Sequence, residues 1–486
     1  MNKKLYIVLG GSAVFILLNC FAILKELFFF PVVSAVAVII YLLIFRVDIL
    51  LYLMAFVTPL SIIFSNEKVN IGFSVPAEFL MILLTILFFV RLLYDVRLER
   101  KIIFHPISIM IYLYLFWMLI TSITSEIPLV SFKFLASKIW FITACYFFVI
   151  QLIKNNFNKI IIFINCYASA LAIVIIFATV KLALTGFAKH GMHWIMHPFY
   201  NDHTAYGAAI AFFIPLIMAL FAIDGKTFWR KLCYLLLLAI LFMGLYFSFC
   251  RAAWLSIILA FGVFVVIKLR IKFSWLIIGT AILFSTLYYF SDDILYRMSR
   301  NTQDSSGDFS EHITSISNIS TDASNVERIN RWVSAFGMIE ERPVFGWGPG
   351  TYQFLYAGYQ RAKYKTIITT NFGDGGNAHS EFIGPTAETG FVGLATVLAL
   401  MVVALYTGIS AYISAKQKNL RVLSLAATLA LISYYIHGIM NNFLDTDKLS
   451  LPFWMAIAII VVVDILNREP LKPSVETDIF FNCISR

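Results

Sequence analysis

Apolar runs of about 18–22 residues recur along the chain, each long enough to cross a hydrocarbon layer of roughly 30 Å as a helix. The chain is 60% hydrophobic and 13% charged, with 47 phenylalanines, so it has too few polar side chains to shield such runs from water. The expected fold class is an all-α polytopic membrane protein. Spans are expected at roughly 5–24, 27–45, 48–64, 77–95, 105–123, 133–153, 160–180, 204–222, 232–250, 252–267, 274–291, 384–410, 422–441 and 449–466, about fourteen in all. The first follows "MNKK" as a signal peptide would. It lacks a small-residue cleavage site and another span follows, so a retained helix is expected.

A formal net charge of +10 suggests a nucleic-acid partner until the basic residues are placed. With the N terminus in the cytoplasm, the inner connections and tails hold 21 of the 37 Lys and Arg residues. Eight of the other 16 lie in one long outer loop, which the positive-inside rule governs poorly, so the fair comparison is 21 against 8. Membrane lipids, and no nucleic acid, are the expected surroundings, with both termini cytoplasmic. Six scattered cysteines show no CxxC or metal-ligand spacing and read as packing residues.

The long loop divides the chain into N-terminal helices over 1–291, the loop itself over 292–378, C-terminal helices over 379–467 and a tail over 468–486. Its first part, "SRNTQDSSGDFSEHITSISNISTDASN", is polar and reads as mobile. "SNVERINRWVSAFGMIEERP" then predicts an amphipathic helix. Ser324 and Glu327 have capping-box spacing, and Ile329, Trp332, Val333, Phe336 and Ile339 make an apolar stripe that ends before Pro343. An outer loop with its own helix reads as a lid or substrate platform.

Residues 232–267 are too long for one helix and barely long enough for two, so a reversal near the middle puts Arg251 at the outer membrane edge. There it either snorkels or caps a helix, or it grips an anion, because ionisable groups at such depth are costly. Arg328 and Arg331, one turn apart, either line a solvated helix face or turn with Arg251 into one cavity. In "NAHSEFIGPTAETGFVGL", His379 and Glu381 precede an apolar run. Thr386, Gly390 and Gly393 fall at helical spacing as a small-residue stripe that lets another helix approach. His379 either takes a proton from a hydroxyl or only bonds backbone at a helix start. His190, His193, His197 and His203 crowd one outer loop, yet no three share a helical face; polar or acceptor contacts are expected there rather than zinc. His437 and Asn441, four apart at an outer helix end, could line the same cavity as Arg251.

His379 and Ser380, nine residues, Gly390, two residues and Gly393 fit a ligase pattern of His, then Asn, Ser or Gln, nine residues, Gly, two residues, then Gly, Thr or Tyr. "SFCRAAWLS" looks like a Ser-x-Arg stretch, at Arg251, and "RINRWVSAFGMIEERPVFGWGPGTY" like an Arg-x3-Trp … Pro-x-x-Gly-x-Gly segment, at Arg328. On these residues the chain resembles the bacterial O-antigen ligase and polymerase superfamily over roughly 200–460. The resemblance implies a GT-C-like architecture of about 12–14 transmembrane helices with one large periplasmic loop. It implies a bacterial inner-membrane glycosyltransferase, active on the periplasmic side, that uses a polyprenyl-diphosphate-linked glycan as donor and lipid A-core or another glycan as acceptor. No cofactor and no metal are implied, and a single displacement would invert the anomeric carbon. Arg251 and Arg328 would hold the departing diphosphate, with Arg331 in reserve. His379 would remove or orient the acceptor's proton, with Glu381 as the competing base or a hydrogen-bonded helix-start carboxylate. Ser380, His437 and Asn441 would bind substrate. A ligase joining O-antigen to lipid A-core leads the readings; a polymerase or a protein O-oligosaccharyltransferase shares its chemistry. A transporter or flippase competes from another class, but no inverted repeat is evident and the unusual charges sit at the membrane edge rather than the midplane.

Overall fold

Backbone in hydrocarbon must satisfy its own N–H and C=O groups, and a helix does so within one segment. The computed structural model describes residues 14–66 (apart from 17 and 28), 71–94, 99–187, 194–271, 323–361 and 376–468, with 285 and 369 singly, and it is helical through nearly every described apolar run. An apolar helix at Val14–Leu24 comes first. It is followed by α1 (Phe29–Phe45), α2 (Val47–Val57), a hairpin of β1 (Ile62–Asn66) and β2 (Ile71–Val75), and α3 (Ala77–Leu93). Next come α4 (Pro106–Ile123), α5 (Pro128–Lys154), α6 (Asn158–Leu184), α7 (His203–Asp224), α8 (Phe228–Phe247) and α9 (Arg251–Lys268). The loop contributes α10 (Ala323–Glu341), and α11 (Ile383–Ser414), α12 (Lys418–Gly438) and α13 (Asp447–Arg468) complete the bundle. The chain is an all-α polytopic membrane protein: among the described residues nine helices, α4 to α9 and α11 to α13, are long and apolar enough to cross a membrane.

The difference from fourteen has local causes. The expected span 274–291 lies outside the described residues apart from 285, and 27–45 and 77–95 yield helices of 17 residues. The expected span 48–64 ends early. Thr58 Oγ1 donates to the Met54 carbonyl at 2.7 Å and Ser61 Oγ to the Val57 carbonyl at 3.0 Å. The chain then turns into the antiparallel hairpin, with Ile62 opposite Val75. Lys448 Nζ on α13 donates to the Ser61 carbonyl at 2.8 Å and fixes that exit.

Lipid gives no hydrophobic incentive for helices to associate, so close packing and polar ties hold the bundle. α13 is enclosed along nearly its whole length. At one end of the bundle, His105 Nε2 before α4 lies 3.2 Å from Asp464 Oδ2 on α13, and Arg468 Nη2 reaches the same oxygen at 2.9 Å. Lys154 pairs with Glu99 there, and the turns into α8 and α12 carry Lys226, Arg230, Lys231, Lys416 and Lys418. The opposite end receives the loop. α9 runs antiparallel to α12, as the 3.0 Å Ser256–Ser433 hydroxyl contact and the nearness of Ala252 to His437 show. The chain therefore reverses over residues 248–250, and Arg251 starts α9 at the loop end.

Candidate active site

α11 is interrupted at Gly390, whose φ of +70° and ψ of −176° are not helical. New partners meet the backbone at the break. Phe391 N donates to the Pro343 carbonyl at 2.8 Å; the Ala387 carbonyl accepts from Trp347 N at 3.1 Å and the Glu388 carbonyl from Gly348 N at 2.8 Å. Trp117 Nε1 on α4 donates to the Thr389 carbonyl at 2.8 Å. One N–H and three carbonyls at the kink thus bond to the loop or to α4, as buried backbone requires. A Cβ at 390 would fall 2.0 Å from the Val344 oxygen, so only glycine fits. The small-residue pattern of Thr386, Gly390 and Gly393 was expected to admit another helix. At Gly390 it admits loop backbone instead, because the kink offers carbonyls that a helix would have kept. Thr386 Oγ1 donates to the Phe382 carbonyl, and Gly393 sits tightly against Thr389 and near Trp117.

Docked this way, the loop carries α10 over the start of α11, around a small core of Ala335, Met338, Ile339, Trp347, Tyr352, Tyr356, Ala378 and Ala387. The expected apolar stripe of α10 is only partly buried: Ile339 packs in this core. Glu327, Asn330, Arg331 and Ser334 face the protein, while Phe336 is exposed and Ile329, Trp332 and Val333 are half-buried. The reason is polar pairing: Arg331 Nε donates to Glu327 Oε1 at 2.8 Å, and Thr369 Oγ1 donates to Glu327 Oε2. The side chain of Ser324, expected to form a capping box with Glu327, lies outside what is described.

His379 stands where the loop meets α11. Its φ of +48° is left-handed, a conformation that costs energy outside glycine and persists only when its surroundings hold it. They do: His379 N donates to Asn377 Oδ1 at 3.0 Å, and Arg331 Nη1 donates to the Asn377 carbonyl at 2.9 Å. Asn377 Nδ2 reaches the Asn442 carbonyl at 3.3 Å, and Glu381 N donates to the Gly438 carbonyl at 2.8 Å. The ring itself has no hydrogen-bond partner among the described residues. Burial, then the charges of Arg331 and Arg328, push its pKa down to about 3, with Asp202 opposing. Arg328, Arg331, Asp202 and His379 therefore share one electrostatic neighbourhood. Arg251 starts its helix beside it: the adjacent Cys250 feels both Asp202 and Arg328, and Ala252 lies against His437.

Residues 236–398 match the family model described as O-antigen ligase. Over that stretch the chain is similar to the O-antigen ligase family. That stretch includes Arg251, Arg328, His379, Gly390 and Gly393, and it supports the superfamily resemblance read from the sequence. No curated protein matches the chain significantly.

The remaining candidate residues divide by what they touch. Arg331 is taken up by Glu327 and the Asn377 carbonyl, with its guanidinium 5.4 Å from the Tyr356 ring centre; it shapes the His379 backbone as well as adding charge. Ser380 Oγ accepts from Phe382 N and Ile383 N, both at 3.3 Å, and so caps the start of α11. Glu381 Oε1 accepts from the Tyr434 hydroxyl, from Phe443 N at 2.8 Å and from Leu444 N at 2.9 Å. His437 Nε2 lies 3.2 Å from Asn441 Nδ2, and both residues are buried at the loop end of α12. His190 and His193 lie outside the described residues; His197 stacks on Trp194, and His203 opens α7. Among the described residues no cluster of His, Cys, Asp and Glu forms a metal-ligand set. Sequence reasoning missed Asp202. The pattern Asp202-His203-Thr204 marks a helix start, but nothing local shows that this start faces His379.

Proposed function

We propose that this protein is an inner-membrane glycosyltransferase of ligase type, moving a glycan from a polyprenyl-diphosphate carrier to a sugar hydroxyl of lipid A-core at the periplasmic face. Members of the matched family are glycosyl-transfer enzymes. The observation that carries the reading is His379 at the loop end of the bundle, held through Asn377 beside Arg331, with the charge of Arg328 also reaching it. The basic connections at the opposite end support a cytoplasmic assignment for that end, with both termini on that side.

In the reaction, the acceptor oxygen bonds to the anomeric carbon while the bond from that carbon to the diphosphate oxygen breaks. Its electron pair leaves on the diphosphate, and the acceptor's proton passes to His379. Attack opposite the leaving group inverts the centre. A diphosphate departs without protonation if its charge is held, and Arg328 and Arg251, backed by Arg331, supply that charge. The arginines whose charge adds to burial in depressing His379 are the groups a diphosphate offsets, so donor binding raises the basicity of the imidazole when a base is needed. Family members use no resident cofactor in this scheme, and the chain's own residues perform each step.

Deletion in the native host with analysis of surface glycans tests the proposal. Lipid-linked polymer left unattached to core is the expected result. Single-repeat glycans would shift the reading to a polymerase, glycans lost from protein to a protein transferase, and unchanged glycans would overturn it.

A further inference from the structure

One asparagine joins the three elements that meet at His379. Asn377 Oδ1 accepts from His379 N at 3.0 Å, and Asn377 Nδ2 donates to the Asn442 carbonyl at 3.3 Å. The backbone carbonyl of Asn377 accepts from Arg331 Nη1 at 2.9 Å. Each bond fixes something different. The bond to His379 N, two residues on, holds a turn whose histidine has a left-handed φ of +48°. The bond to Asn442 ties that turn to the connection between α12 and α13, where Phe443 N and Leu444 N donate to Glu381. His379 is therefore anchored to one connection from both sides. The third bond reaches α10, and it leaves no room for a side chain one position earlier: a Cβ on Gly376 would lie 1.9 Å from Arg331 Nη1. Arg331 is held in turn, its Nε by Glu327 Oε1 at 2.8 Å and its carbonyl by the Tyr352 hydroxyl at 2.8 Å. The spacing pattern that located His379 begins at the histidine and leaves Asn377 out.

Resting on the transferase reading above, we infer that Asn377 is a positioning residue: its carboxamide holds the turn that presents the His379 ring to the acceptor hydroxyl, and its carbonyl keeps that turn in register with the arginine-bearing α10. It acts through His379 and not on substrate. Only an amide serves both ends, because Oδ1 has to accept while Nδ2 donates. Aspartate keeps the first bond but sets a carboxylate oxygen against the Asn442 carbonyl, and alanine loses both. The imidazole has to come within about 3 Å of the hydroxyl to take its proton, so a relaxed turn costs the proton transfer. The charges assigned to the donor diphosphate lie on α9 and α10 instead. Loss of the Asn377 side chain therefore falls on turnover and leaves donor binding in place.

The test uses the full chain in liposomes, as wild type, Asn377→Ala, Asn377→Asp, His379→Gln and the double variant of alanine with glutamine. The substrates are the native host's lipid-linked glycan and lipid A-core. Asn377→Ala should lower kcat about 10- to 100-fold and leave the KM for donor within about two-fold, the signature of a misplaced reacting group. Asn377→Asp, which loses one bond of the two, should lower kcat about three- to ten-fold. In the His379→Gln background Asn377→Ala should change transfer by less than about two-fold, since nothing is left to position. Near wild-type transfer, a loss carried by the donor KM, or equal losses in both backgrounds would overturn the inference. Hydrogen exchange over residues 377–382 reads the turn without any transfer. It should speed about ten-fold in Asn377→Ala, with the rest of the chain unchanged. Unchanged exchange at the turn, or acceleration throughout the chain, would overturn the inference as well. If the wild type itself transfers nothing, the transferase reading fails, and exchange alone decides whether Asn377 holds the turn. Should Asn377→Ala not fold, Asn377→Asp carries both comparisons.

Discussion

His379 and Glu381 are separated by one residue, yet they occupy opposite kinds of polar environment. Glu381 is saturated: one oxygen takes three donors and ties the start of α11 to α12 and to the turn before α13. His379 has a rigid backbone and an unengaged ring among cations. Burial, with Asp445 adding to it, raises the Glu381 carboxyl above its usual range, whereas burial and arginine charge lower the His379 imidazole. A buried group whose bonds are all made holds the fold. A group fixed from behind and left open in front is available for chemistry. Either residue would have passed as the base on sequence alone, and only the pattern of partners separates them.

The largest expected effect belongs to His379. Replacing it with alanine should reduce transfer by about 10²- to 10⁴-fold, the range for a lost acid–base group, with the unfolding temperature moved by less than about 2 °C. Retained activity would erase the distinction drawn here. Glu381→Ala should show the converse, a stability loss of about 3 kcal/mol from stranding the Tyr434 hydroxyl and two backbone donors, read by denaturation in detergent. Transfer per folded molecule should stay within a few-fold. Arg328→Ala should weaken donor binding and transfer by about 10- to 100-fold, and Arg328→Lys should not fully restore them, because an ammonium lacks the fork that matches phosphate oxygens.

The smallest effect lies in the pH dependence of stability, where the two residues should have opposite signs. His379 falls from 6.5 to about 3 on folding, so below pH 6.5 the unfolded chain takes up a proton that the folded site refuses. Its contribution therefore reduces stability as pH drops from about 6.5 toward 3 and vanishes above that window. Glu381 is raised from 4.5, so the folded state keeps a proton that the unfolded chain has lost, and its contribution falls as pH rises through the folded value. Unfolding free energies of His379→Ala and Glu381→Gln, measured from pH 4 to 8, should each lose one of these slopes.

The helices from α4 onward were legible because their signal is the length of an apolar run, and a bilayer fixes that length. The hairpin after α2 was not, since "IIF" reads equally as the end of a span or as a strand until Thr58 and Ser61 turn back on their own helix. On α10, periodicity located the helix, but of the apolar stripe only Ile339 is fully buried, and the salt bridge of Arg331 with Glu327 is an interaction that hydropathy cannot weigh. Motif spacing found Arg251, Arg328, His379 and Gly390, while the reason for Gly390 emerged only with Val344 against it. Asp202 is some 180 positions from His379, and no spacing rule connects them.

A structure of the full protein bound to a polyprenyl diphosphate tests the central claim most directly. The account predicts phosphate oxygens within about 3 Å of the Arg328 guanidinium, with the phosphate–sugar junction beside the His379 ring. Diphosphate density seated instead in the pocket lined by Glu381, Asp445 and Lys138, whose Nζ donates to Asp445 Oδ1 at 2.8 Å, would contradict it.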